Sequence, residues 1–519
     1  MPAPNTSQLS DLVAGLGRLA TPPWIDPMIR GLADDSRIAG PGDLFLARSG
    51  DAEVDRRHLA AAVEAGVAAI AAPVASLAGF TPARSVATVE IETGLPRAWV
   101  GLVAARFHGR PGGALAAIGV TGTNGKTTVA WLARQLLQSQ GVRCGLVGTV
   151  AIGDGVSDRP ASLTTPGALE LQATLARMVE HGCRAAAIEV SSHALDQDRV
   201  AGVPFRVGVF TNLSGDHLDY HGSMERYAAA KRRLFESLDA GATAIVNARD
   251  GASEIMTRDL AAGVLRFAVA PEGAGVSPAS VDVRGVIGDL APEGFELRIE
   301  SPWGRGRVRL PLVGRHNAEN ALAALASTMV VLEDVERFDE VVAALGSVTA
   351  PPGRFEQVSV PGRRFTVLVD YAHTDDALSR ALVALRPLVP TGARLTVVFG
   401  CGGDRDRAKR PRMAVAACAH ADRVIVTSDN PRTEDPVAIV EEVLAGVPAE
   451  ARSRVGSEVD RAAAIERAVS EAEEGDIVLI AGKGHEDYQI VGDRRRDFDD
   501  RQVAAEMLRM RWRETAANH

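Results

Sequence analysis

The run Gly119-Val-Thr-Gly-Thr-Asn-Gly-Lys-Thr-Thr128 follows the apolar stretch Ala114 to Ile118 and precedes a helix-like Val129 to Gln140. A strand, a glycine-rich turn, a lysine and a helix in that order read as a nucleotide phosphate cradle. Gly122 and Gly125 let the backbone turn and aim its N–H groups at an anion, Lys126 reaches the terminal phosphates, and Thr127 offers a hydroxyl to Mg²⁺. The chain is therefore read as one that spends ATP. The strict eight-residue form of the cradle would need glycine at 120, where Val120 stands, so the tighter Thr-Gly-Thr-Asn-Gly-Lys-Thr-Thr form is the one to interpret.

At 519 residues the chain is too long for one hydrophobic core, and about three domains are expected at roughly 150 residues each. The formal charge is −9 and only 4% of residues are aromatic, which offers nucleic acid neither a basic face nor a stacking platform. Basic residues cluster locally, at Lys231-Arg-Arg233 and within Asp404 to Arg410, as suits gripping small phosphates and carboxylates. Cys144, Cys183, Cys401 and Cys418 are widely spaced and form no Cys-x-x-Cys pair, so they read as reduced thiols in a cytoplasmic protein. The start has no basic segment leading into an apolar core, and no apolar stretch reaches the roughly 18–20 residues of a membrane span. Neither export nor insertion is expected.

Turn clusters at Arg110-Pro-Gly-Gly113 and Ala350-Pro-Pro-Gly353 divide the chain into residues 1–112, 113–350 and 351–519. The first part shows a helix-like opening (Leu9 to Leu19), strands near Asp43 to Ala47 and Val86 to Ile91, and an amphipathic stretch from Leu59 to Ala65. In the second, β-branched runs at Leu115 to Val120, Ala185 to Val190, Arg206 to Asn212 and Ala242 to Asn247 alternate with helical periods, the pattern of a mostly parallel sheet covered by helices. Segment 281–313 alternates with period two and predicts an antiparallel insertion. The third part repeats the α/β pattern, with strands at Thr366 to Asp370, Arg394 to Phe399, Arg423 to Ser428 and Ile477 to Ala481. The fold class is α/β throughout, the last part doubly wound and Rossmann-like.

Beyond the cradle, Glu189, Asp216 and His217 fall at strand ends, which line the ligand crevice of a parallel sheet. A carboxylate and an imidazole there complete the coordination of Mg²⁺ held between ATP and a second substrate. A zinc site from His217, Asp219 and His221 is the rival reading, with weaker context.

Six motifs occur in one order along the chain: Thr121-Gly-Thr-Asn-Gly-Lys-Thr127, Glu189-Val-Ser-Ser-His193, Gly215-Asp-His-Leu-Asp-Tyr-His-Gly222, Gly314-Arg-His-Asn-Ala-Glu-Asn320, Gly353-Arg-Phe-Glu356 and Asp370-Tyr-Ala-His-Thr374. In this the chain resembles the Mur ligases; the cradle alone is also similar to that of folylpolyglutamate synthetases, and both groups form amide bonds. The resemblance implies three domains: a uridine-binding module, a central ATP-binding domain and an amino-acid-binding domain. It implies that Gly122, Thr123, Asn124, Gly125, Lys126, Thr127 and Thr128 hold ATP, with Asn317 near the adenine and Arg354 and Asp370 reaching ATP from the last domain. Lys231 matches the lysine that the family carbamylates, so Lys126, Lys231, His217 and Glu189 would be catalytic, and Thr127, Glu189, His217 and Lys231 would serve Mg²⁺. Thr164, Thr165, Ser191, Gln197 and Arg199 match positions for UDP-N-acetylmuramoyl-L-alanyl-D-glutamate, and Ser36, in Asp34-Asp-Ser-Arg37, its nucleotide end. Three departures stand out: Asp55-Arg-Arg-His58 replaces a family segment, Asp375 replaces a proline, and Ala408 replaces a glycine.

The amine substrate is read from Gly402-Gly-Asp-Arg-Asp406, Asp429-Asn-Pro-Arg432 and Gly482-Lys-Gly-His-Glu486. Asp429-Asn430-Pro431-Arg432 is similar to the form in relatives that add meso-diaminopimelate. That amine carries a carboxylate that lysine lacks, and a guanidinium fork pairs with carboxylate through two hydrogen bonds. Arg405 and Arg432 would be the clamps, with Asn430, Gly482 and Glu486 on the remaining polar groups and Glu486 facing an ammonium. The implied activity is ATP-dependent addition of meso-2,6-diaminopimelate to the UDP-dipeptide through an acyl phosphate, in peptidoglycan synthesis, by a monomer. The alternatives are lysine addition, folylpolyglutamate-type ligation, or an ATP-driven switch without ligation.

Overall fold

The computed structural model describes residues 6–20, 25–83, 85–91, 97–270, 281–359 and 364–517, with backbone alone for 512–517. Three sheets carry the architecture. Near the N-terminus a five-stranded sheet runs in the order Gly17–Leu19, Ala87–Ile91, Ala69–Pro73, Asp43–Leu46, Gly31–Ala33, parallel except for its first strand. The helix-like opening is shorter than expected: the helix stops at Val13, and Gly17–Leu19 becomes the antiparallel edge. Glycines at 15 and 17 weaken a continued helix, whereas the strand gains a full ladder. The amphipathic stretch at 59–65 belongs to the helix Ala52–Glu64, whose Asp51 caps the N–H groups of Glu53 and Val54.

The central sheet has eleven strands. Its parallel run is Cys144–Val147, Ala185–Glu189, Ala116–Thr121, Phe205–Phe210, Thr243–Asn247, Gly263–Ala270 and Val283–Ala291. The expected antiparallel insertion is instead the edge of this sheet. Val283–Ala291 adds parallel to its neighbour, and Gly294–Ser301 and Gly304–Leu310 continue antiparallel. Their period-two pattern arises because one face packs on Leu322 and Val342 of flanking helices while the other meets water. Helices Lys126–Ser139 and His316–Leu332 cover one face of the sheet, and Ala168–Glu180 and Met224–Glu236 the other.

The last sheet runs Glu356–Gln357, Thr366–Asp370, Ile477–Ala481, Leu395–Cys401, Arg423–Ser428, Val455–Ser457, parallel but for its first strand and clad on both faces. Beneath its loops lies a fully buried ion pair. Arg461 grips both oxygens of Asp500 at 2.7 Å and donates to the carbonyls of Ser428 and Ala481. These carbonyls end the two strands that lead into Asp429 and Gly482, so the pair fixes where both loops begin.

Candidate active site

The cradle forms as its residues dictate. Gly122 (φ 143°) and Gly125 (φ 85°) take backbone conformations closed to other residues, and the helix starts at Lys126, three residues before the apolar period suggested. The end of the strand Phe205–Phe210 then clamps the loop. Thr211 Oγ1 and Asn212 Nδ2 donate to the Asn124 carbonyl, Asn124 N–H donates to Asn212 Oδ1 (3.0 Å), and Thr123 N–H to the Asn212 carbonyl (2.8 Å). Lys126 Nζ donates to the carbonyls of Gly122 and Thr123, both at 2.9 Å. Burial lowers its pKa, opposed by Glu189 and Asp216.

Glu189 ends the neighbouring strand and is buried. Thr127 Oγ1 donates to its Oε2 (2.9 Å), and Thr149 donates through N–H to Oε1 (2.7 Å) and through Oγ1 to Oε2 (3.1 Å). Burial pushes its pKa up, while the nearby Lys126 ammonium pulls it down. Thr149 also meets Thr164 (3.0 Å), and Thr165 donates to the Glu189 carbonyl (2.7 Å) and accepts from Ser191 N–H (3.1 Å). Arg199 donates to the Thr165 carbonyl and Gln197 Oε1. Thr164, Thr165, Ser191, Gln197 and Arg199 thus form one continuous ledge beside Glu189. Arg199 lies close enough to Arg48 of the first sheet to feel its charge, and Arg48 pairs with Asp34, two residues before Ser36.

Lys231 projects from Met224–Glu236 into the floor of the site and is 1% exposed. Its Nζ donates to the Gly122 carbonyl (2.8 Å) and sits 4.3 Å above the Tyr227 ring centre, with no ion pair among the described residues. Desolvation first, then the Lys126 charge, drives its pKa well below the ordinary value. His217 is half exposed, at φ 53°, and meets His193 edge-on at 4.8 Å. Among the described residues no three His, Cys, Asp or Glu side chains are grouped to hold a metal, so the zinc alternative gains no support. His221 is buried on Ser192 Oγ (3.0 Å) while Asp219 is exposed.

Across the cleft, Asp370 is held by the N–H groups of Phe355 and Ala372, both at 2.9 Å. Arg354 lies over Tyr371 (5.1 Å), and its charge reaches Glu189, Lys126 and Asp370. Asn317 is buried, donating to the Val313 carbonyl and accepting from Asn320, whose Oδ1 lies beside Gly125. A β-carbon on Gly402 would lie 2.9 Å from Arg432 Nη1 and 3.7 Å from Arg405 Cγ, so both side chains border one spot, and Arg432 Nη1 donates to the Gly403 carbonyl at 2.8 Å. Asn430 Nδ2 donates to Glu486 Oε2 (2.9 Å), and Gly482 packs on Asp429. Pro431 is buried behind them.

Not every basic cluster faces a ligand. Arg410 is fully buried between Glu434 and Glu442, and Arg232 and Arg233 pair with Glu236 and Asp198. The three departures have local accounts. Asp55 is buried and accepts from Ser49 N–H, Ser49 Oγ and Ser76 Oγ. Asp375 opens the helix Asp375–Leu385, where a negative charge favours the helix dipole, and meets Arg412 at 3.2 Å. Ala408 has ordinary helical dihedrals, so glycine is not required. Sequence reasoning missed Thr149, Asn212 and Lys483. Thr149 follows the end of the strand Cys144–Val147, the kind of position that singled out Glu189, and Lys483 sits inside a motif already marked.

The order of motifs, the three α/β sheets and this cleft define an amide-ligase architecture, and comparison places it: the chain belongs to the Mur ligase family. Residues 120–328 match the Mur ligase middle domain and residues 353–484 the Mur ligase glutamate ligase domain. UDP-N-acetylmuramoyl-L-alanyl-D-glutamate–2,6-diaminopimelate ligase of Parasynechococcus marenigrum is 43% identical over 94% of this chain and 96% of its own. The ligase of the same name from Coxiella burnetii is 40% identical over 97% and 100%. A solved structure bearing that name superposes with TM-score 0.69 at 32% identity, covering 98% and 99%. The ADP complex of the Thermotoga maritima ligase MurF (TM-score 0.55, 18% identity, covering 94% and 98%) shares the fold.

Proposed function

We propose that the protein joins meso-2,6-diaminopimelate to UDP-N-acetylmuramoyl-L-alanyl-D-glutamate at the expense of ATP, a cytoplasmic step of peptidoglycan synthesis. The observation that carries this reading is the near full-length similarity to ligases so named, together with the Arg432 and Arg405 side chains that both border Gly402. Residues 1–112 would take the uridine nucleotide, 113–350 ATP, and 351–519 the incoming amino acid. The four buried free thiols suit a reducing compartment, and among the described residues no helix is long and apolar enough to cross a membrane.

The substrate's glutamate side-chain carboxylate attacks the γ-phosphorus of ATP, ADP departs, and an acyl phosphate forms. The amine then attacks the acyl carbon, phosphate leaves with the C–O electron pair, and a proton is released. Carboxylate alone would have to expel oxide, so activation is what makes the amide accessible. Lys126 exchanges the loop carbonyls for phosphate oxygens and offsets charge on the group in transfer. The Thr164 to Arg199 ledge orients the acid. Closure of Arg354 and Asp370 over the cradle excludes water, which would otherwise hydrolyse the acyl phosphate.

Magnesium fits the donor set: a hydroxyl and a carboxylate oxygen 2.9 Å apart at Thr127 and Glu189 suit a hard cation that draws its other ligands from phosphates and water. When bound it neutralises phosphate charge. Lys231, whose burial favours the neutral amine, is suited to add CO₂: the amine lone pair bonds carbon, a proton leaves, and a carbamate anion results that would serve the cation together with His217.

The test is purified enzyme with ATP, the UDP-dipeptide and either diaminopimelate or lysine, read by ADP release and product mass. Lengthened product with diaminopimelate supports the reading; ADP release without either co-substrate points to a switch.

A further inference from the structure

Lys483 lies within the loop proposed to receive the amine, yet the chemistry above gives it no task. Its side chain is fully buried, and a cation in such a place is tolerated only where partners replace water. Those partners are Glu486 Oε2 and Asn430 Oδ1, each 3.2 Å from Nζ, Asp429 Oδ1 at 4.0 Å, and the Tyr488 ring with its centre at 5.4 Å.

The consequence falls on Asn430. Its Oδ1 also accepts from the N–H of Ile490 (3.0 Å). Both neighbours are donors only, so the amide has one orientation, with oxygen toward Lys483 and nitrogen toward Glu486. Nδ2 spends one N–H on Glu486 Oε2 (2.9 Å) and keeps the other. Glu486 Oε2 is thus occupied twice, while Oε1 has no partner among the described residues. A fixed N–H donor and a fixed carboxylate oxygen stand side by side. The Asn430 carbonyl lies 3.7 Å from the Gly402 point that Arg432 and Arg405 border.

We propose that Lys483 is a positioning residue that sets the donor and acceptor polarity of this pocket, so that it takes an amino-acid head, carboxylate and ammonium together, in preference to a bare ammonium. The inference rests on the reading that this loop receives diaminopimelate. An unanchored Asn430 amide is free to turn, and Glu486, without its internal cation, is free to swing onto a guanidinium. Selection between amines is then lost while phosphate chemistry at the cradle is not.

The experiment compares wild type with Lys483→Met, Asn430→Asp, Glu486→Gln and the double variant Lys483→Met/Glu486→Gln, each checked for its unfolding midpoint. The readouts are KM for ATP, and kcat and KM for diaminopimelate and for lysine. In Lys483→Met, KM for diaminopimelate should rise by about tenfold or more and the preference over lysine should shrink by a similar factor, the size expected for losing a charge-assisted hydrogen bond. KM for ATP should stay within about twofold. Asn430→Asp keeps the shape and should reproduce the lost preference, and the double variant should be no worse than the worse single, since the two residues act as a unit. An unchanged preference, or a KM for ATP that moves in step, makes Lys483 a structural lysine and overturns the proposal; so do additive losses in the double variant. If Lys483→Met does not fold, Asn430→Asp decides by itself, and an unchanged preference there overturns it. If wild type joins neither amine, the ligase reading falls and this inference with it.

Discussion

Among the described residues two lysines, Lys231 and Lys483, are almost wholly shielded from water, and their company differs. Lys231 has a carbonyl and an aromatic face for neighbours and a second ammonium nearby; Lys483 has a carboxylate and an amide oxygen within hydrogen-bond reach and a second carboxylate just beyond. Desolvation, helped by a neighbouring ammonium, pushes the Lys231 pKa down and favours the neutral amine. Desolvation with anions beside it makes an internal counter-charge. On the reading proposed above, the same residue type would serve as a reagent at the cradle and as a fixed charge at the far end of the cleft.

The comparison can be strained from both sides. The limiting case of paired charge is Arg461 with Asp500, both fully buried. Arg461→Ala should cost about 3–5 kcal/mol, read as a lowered denaturation midpoint, because Asp500 is left without its partner. Full stability in that variant would remove pairing as the rule for buried charge here. At the unpaired end, Lys231→Ala should lower turnover by about 10²–10³-fold, as for loss of a main electrostatic group. A short carboxylic acid should restore part of it, and native mass spectrometry of wild type should show the added mass of CO₂. Lys231→Ala with unimpaired turnover would sink the reagent role.

Smaller effects follow. Arg432→Ala should cost about 1.5–3 kcal/mol in kcat/KM for diaminopimelate, with little change for ATP. Equal loss for both would dissolve the clamp. The smallest effect concerns acid. Arg410 holds the Glu434 carboxyl down to about 2, against 4.5 when free. That stability is present above about pH 4.5 and drains away as pH falls toward 2, since the unfolded chain takes up the proton first. Glu434→Gln should flatten the dependence of the unfolding midpoint on pH in that window; an unaltered slope would place acid sensitivity elsewhere.

The cradle was legible because its chemistry is local: glycine, lysine and threonine at fixed spacing on one turn. Glu189 was legible as a strand end, whereas His217, expected at one, caps the short helix Leu218–His221 seven residues beyond the strand Phe205–Phe210. Thr149, Asn212 and Lys483 act through partners 40, 88 and 53 residues away in sequence, and no local pattern distinguishes them. Leu9 to Leu19 misled because an apolar period continued past the glycines that end the helix. In the edge strands 283–310 the antiparallel pairing and the wet face were legible from period two, but that period does not report which sheet the strands join. Arg410 looked like a ligand grip because sequence charge does not reveal the acidic side chains folded over it.

Gly353 stands where the connection from the central sheet meets the last one, so tightly against Gly484 and His485 that a β-carbon there would overlap their backbone. Arg354, whose charge reaches Lys126 and Glu189, and Glu486, which Asn430 holds, are therefore mounted on one bracket. A movement that carried one arm inward would carry the other with it, so on the proposed reading nucleotide closure and amine delivery would share a single mechanical stroke.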